Sequence, residues 1–138
     1  MQQQEIERFV RGRLGCRCPP EVFRDIDLAP PSVAAGGGPY LRLALGRRLL
    51  IHMVNSASHG RSAAALARCA QSGLEERDAG GFNRFRLVWV APDGPAGATT
   101  ALAEAFAAAT GGDLRAHLHV LAADQVPASL QPVTAPRT

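Results

Sequence analysis

Lysine is missing from this chain. All 15 basic residues are arginine, set against 12 acidic ones, for a net charge of +3 and a pI near 9.2. The arginines are dispersed, and only Arg47 and Arg48 are adjacent to one another, so no basic stripe follows the pattern that nucleic acid selects. An Arg- and Ala-rich usage typical of GC-rich genomes accounts for the balance, and nucleic acid is not the expected partner. Long apolar runs are also missing. No segment approaches the roughly 20 residues of a membrane span, and the start, Met1 to Glu7, has no basic region leading into an apolar one. The expectation is a soluble, cytoplasmic protein with no membrane partner. Cysteine is scarce and odd in number, at three, which in a reducing compartment reads as thiols, metal ligands or a redox pair rather than a disulfide framework. There is no internal repeat, no Gly-x-x-x-x-Gly-Lys phosphate loop and no Gly-x-Ser-x-Gly elbow.

At 138 residues the chain is long enough to bury a core without staples. Ile6, Phe9, Val10 and Leu14 fall on one face of a first helix, which Gly15 ends. Pro19 and Pro20 suit the first turn of a second, short helix, with Glu21 near the positive end of its dipole. Pro30 to Pro39, rich in glycine and proline, reads as a flexible loop. Tyr40–Leu45 and Leu49–Val54 flank Gly46-Arg47-Arg48 as a hairpin, the second strand apolar enough to be central. A helix from Gly60 to Ser72, with Gly73 as its stop, leads to a strand over Phe85–Val90. A helix through Leu102 and Phe106 follows, and then a strand over Ala116–Leu121. The expected fold is one α/β domain over residues 1–122, a hairpin followed by β-α-β-α-β in a mixed sheet flanked by helices. Residues 123–138, with Pro127, Pro132 and Pro136, read as a disordered tail.

The densest chemistry is Leu14-Gly15-Cys16-Arg17-Cys18-Pro19-Pro20. Cys16 and Cys18 are candidate catalytic thiols, and Cys18, beside a helix start, is the better thiolate. A Cys-x-Cys is tighter than the usual zinc half-site, yet it could give two ligands to zinc or another thiophilic metal completed by histidines. His52 and His59 are the metal candidates on and after the central strand, and His117 and His119 share one face of the last strand. As a redox pair, two thiols this close could form a reducible disulfide. The plain alternative is a tight turn whose cysteines merely pack, in a non-catalytic interaction domain that could form a homodimer. Cys69, beside the apolar face of its helix, reads as a core residue.

A second constellation leaves the central strand: Ser58, His59, Gly60, Arg61 and Ser62 enter a helix start and could bind phosphate or carboxylate for an enzyme of unknown small-molecule substrate. Ordinary capping by a serine is the competing account. A third set pairs Glu75-Glu76-Arg77-Asp78 with Asn83 and Arg84, the latter two being candidate ligand-binding residues at a strand start. A solvated connection explains the acidic run equally well. Carboxylates at Asp25, Asp27, Glu75, Glu76 and Asp93 bear a superficial likeness to a ribonuclease-H-like nuclease, whose two-metal chemistry needs them gathered together.

Phe9-Val10-Arg11, Leu14 to Pro19, Glu21-Val22-Phe23, Arg48 to Ile51 and Gly81 to Val88 resemble segments of small uncharacterised prokaryotic proteins that carry a Cys-x-Cys-Pro segment. The resemblance covers about half the chain and implies no activity. It implies only that the Cys-x-Cys-Pro and Asn83-Arg84 segments belong to one site.

Overall fold

Alternation with a period of two builds the sheet, and the parallel strands lose that alternation because both of their faces are covered. The computed structural model describes residues 2–33, 39–59, 62–91 and 99–131. Within them β2 (Pro39–Leu45) turns back into β3 (Leu49–Asn55), and β3 is buried from Leu49 through Val54. Arg48 N–H closes the turn on the Leu45 carbonyl at 3.0 Å, with Gly46 and Arg47 both at positive φ. A Cβ on Gly46 would lie 2.9 Å from the Val22 backbone, so both conformation and space call for glycine there.

The strand order is β1-β2-β3-β4-β5, with β1 (Ile26–Val33), β4 (Arg84–Ala91) and β5 (Ala116–Ala122) completing a mixed sheet. β1, β2 and β3 pair antiparallel, while β3, β4 and β5 run parallel. The two parallel links pass through α3 (Ala63–Gly80) and α4 (Thr99–Thr110). Both helices pack on the same face, as successive crossovers of one hand must when they advance in one direction. α1 (Gln2–Gly12) and a 3₁₀ helix over Pro20–Arg24 cover the other face. A short helix, α2 (Ser56–His59), follows β3. No helix among the described residues is long and apolar enough to cross a membrane.

Three boundaries differ from the sequence expectation. Gly73 does not end its helix: α3 continues to Gly80 and is capped by Gly81 at φ 73. Gly73 is instead where Phe85 lies against the helix, and a Cβ there would come within 2.0 Å of the ring. The run Glu75 to Asp78 therefore lies on the last turns of α3 rather than in a solvated connection. β1 extends through Pro30 and Pro31, which the sheet accommodates because β1 is an edge strand with a register shift between Ala29 and Ser32. Residues 34–38 of the expected loop, and Asp93, lie outside the described residues.

The domain also continues past Ala122. Two 3₁₀ turns, Ala123–Gln125 and Ala128–Leu130, bring Val126 and Leu130 into the core beneath α1. Gln131 ties the turns together, donating from Nε2 to the carbonyls of Ala123 and Val126 at 2.7 and 2.8 Å. Proline signals a break in regular structure, but here Pro127 only starts the second turn; residues 132–138 of the expected tail lie outside the described residues.

Candidate functional site

The Cys-x-Cys segment is a bridge between two anchored elements. Ile6, Phe9 and Val10 bury the inner face of α1, and the chain leaves it with Cys16 N–H bonded to the Val10 carbonyl at 3.1 Å and Gly15 at φ 70. Beyond the cysteines, Val22 and Phe23 are buried under the Pro20–Arg24 turn. Between these anchors Cys16 and Cys18 are joined as a disulfide, their Cα atoms 5.4 Å apart, within the range of about 4.4–6.8 Å that such bonds span. Both are partly buried against the α1-side core.

Beneath this bridge the sheet changes character. On the α1 face, strand register sets Leu43, Ile51, Arg86 and His117 in one row and Leu41, Met53, Val88 and His119 in the next. Arg84 lies at the end of the row begun by Leu45 and Leu49. An apolar surface thus becomes basic at its β4–β5 corner. A cleft of about 410 Å³ opens there, lined by Gly15 to Pro19, Val22, Leu49, Arg48, Asn83, Arg84, Arg86 and His117. The Arg48 carbonyl fixes its floor by accepting from the amides of Asn83 and Arg84 at 2.8 and 3.0 Å.

Arg86 is the buried member, 9% exposed. Its Nη1 donates to the Leu14 carbonyl and to His119 Nε2, each at 2.9 Å, while Nε is buried without a hydrogen-bond partner. A guanidinium has no lone pair to offer, so His119 accepts as a neutral imidazole with its proton on Nδ1. Burial, reinforced by Arg86 and then His117, pulls the His119 pKa down to about 4. Burial, then Arg86 and Arg84, lowers that of His117 as well. Burial and the neighbouring Arg84 lower Arg86 itself. Each of these shifts follows from positive charge and desolvation with little negative charge nearby.

The remaining candidates lie elsewhere. His52 is on the opposite face of the sheet from the cysteines, 2% exposed, with Nε2 bonded to Glu76 at 2.9 Å and its ring against Tyr40 and Phe85. It does not meet Cys16 or Cys18, and the metal set of these three residues with His59 is not assembled: β3 alternates its side chains, and His52 points to the α3 side. Among the described residues no three of His, Cys, Asp and Glu gather as a metal site. Ser62 caps α3, its hydroxyl accepting from Ala65 N–H at 3.0 Å. Gly60, Arg61 and the side chains of Ser58 and His59 lie outside the described residues. Cys69 is buried on α3, where desolvation pushes its thiol up to about 11.

Asn83 and Arg84 do share a cleft with Cys16 and Cys18. Sequence reasoning missed Arg17, Arg48 and Arg86 as members of it. A signal existed for Arg86: Arg84 and Arg86 alternate on β4 as His117 and His119 do on β5, so each pair shares a face. That the two faces coincide depends on register, which sequence does not state. No protein-family model, curated protein or solved structure matches this chain.

Proposed function

We propose that this protein is a small thiol–disulfide exchange protein, cytoplasmic in setting, whose reactive pair is Cys16 and Cys18. One observation carries the reading: the two sulfurs are bonded across a single intervening residue at the wall of an open, basic cleft. The exchange partner is a low-molecular-weight thiol. Its thiolate attacks one sulfur of the pair and expels the other as a thiolate, and a second thiolate then resolves the mixed disulfide. Two thiols are oxidised to one disulfide while the pair takes up the two electrons and, in all, the two protons released. The arginines lining the cleft favour the expelled thiolate.

Native thiol titration, with metal content measured by elemental mass spectrometry on the same reduced sample, tests the reading. Two reactive thiols per chain should appear on mild reduction, disappear on reoxidation, and be absent from a Cys16→Ser/Cys18→Ser variant. Thiols that stay unreactive until the protein is denatured would return the cysteines to a packing role. Stoichiometric zinc or another thiophilic metal, lost in the variant, would make the reduced pair a metal site instead.

A further inference from the structure

The corner beneath the disulfide holds more positive charge than the chain neutralises. Arg86 is buried, yet both its hydrogen bonds go to neutral acceptors and its Nε has none. Arg17, Arg48 and Arg84 line the same cleft, and among the described residues none of the four holds a carboxylate. The other buried arginine among the described residues, Arg77, holds both Asp78 and Asp113. Exposed arginines can rely on water for their counter-charge, but a buried one is stable only when its charge is compensated. Among the described residues no acidic side chain lines the cleft to do so.

We propose that the cleft is a binding site for the oxyanion of a small molecule, a carboxylate or phosphate group held by Arg84 and Arg86, with Arg17 and Arg48 at the rim. A guanidinium offers two parallel donors to an oxyanion. Arg86 is already oriented by Leu14 and His119, so little freedom is lost when it binds. The volume suits a ligand of small-metabolite size. The site's existence does not rest on the redox reading; where both hold, the oxyanion is the charged end of the exchanging thiol.

Isotope-labelled protein titrated by NMR with inorganic phosphate and, separately, with succinate at constant ionic strength provides the test, the tighter ligand naming the class. Saturable shifts confined to Gly15–Pro19 and Asn83–Arg86 are expected, with affinity about tenfold weaker in Arg84→Gln, an exposed position where the fold is not at stake. Shifts that fail to saturate, shifts spread equally over arginines outside the cleft, or an unchanged affinity in Arg84→Gln would overturn the inference. An anion that binds while Cys16 and Cys18 prove unreactive removes the redox reading alone. Reactive thiols without saturable binding remove only this inference.

Discussion

Glu76 receives a hydrogen bond on each carboxylate oxygen, from His52 on Oε1 at 2.9 Å and from Arg42 Nε on Oε2, and these decide how it titrates. The His52 hydrogen bond leads in lowering its pKa from 4.5 to about 2, with Arg42 adding to it and burial opposing. A carboxyl depressed in the folded state stabilises the fold above its unfolded pKa, and that contribution fades as pH falls through the folded value. Urea unfolding as a function of pH should therefore show a loss of order 1–3 kcal/mol between about pH 4.5 and 2, with much of that loss removed in Glu76→Gln. The same single-residue view explains what could be read of the site in advance. Cys16 and Cys18 stand out because a scarce residue type occurs twice within three positions. Arg86 and Arg48 do not, because an arginine on a strand or in a turn looks the same in sequence whether it meets water, a carboxylate or a cleft. His52 is hard to place for a related reason: a histidine on a buried strand advertises its presence but not the face it takes or its Glu76 partner.

Within α3, glycine plays two opposite parts. Gly81 ends the helix in the left-handed conformation, whereas Gly73 lies inside it because the Phe85 ring needs the space of a missing Cβ. From propensity alone, Gly73→Ala should stabilise a helix interior by up to about 1 kcal/mol. Here the added methyl meets a fully buried ring, and chemical denaturation is expected to show a net destabilisation of about 1–3 kcal/mol. Local sequence registered the glycine but not its neighbour, which comes from another element, and so the expected helix stopped a turn or more too early. The strands were more legible, since β2 to β5 are short runs of apolar residues bounded by turns. At the bridge between α1 and the Pro20–Arg24 turn, the short separation of the cysteines has its own consequence. A closed loop with one residue between its ends removes little freedom from the unfolded chain, on the order of 1–2 kcal/mol. Reduction should lower the melting temperature by only about 5 °C and leave the circular dichroism of the folded protein unchanged, as a pair that cycles requires.

The whole molecule is a sheet with a core on each side, and the two cores draw on different parts of the chain. The α3–α4 side is built from residues between Leu50 and Ala116, while the α1 side joins Ile6, Phe9 and Val10 to Val126 and Leu130. A chain ending at Ala122 should lose about 3–6 kcal/mol in urea unfolding relative to one ending at Gln131, because two buried aliphatic side chains leave the core. Composition could not reveal this: Val126 and Leu130 sit among prolines and polar residues, and their role depends on α1, more than a hundred positions earlier. Ser129 even donates its hydroxyl to Glu5 across that junction. The meeting of the earliest and latest described elements sets a timetable for biosynthesis. Strands that each pair with the next can zip up in the order they emerge, but the greasy side of α1, made more than a hundred residues earlier, receives the last part of its cover only when Leu130 has cleared the ribosome tunnel.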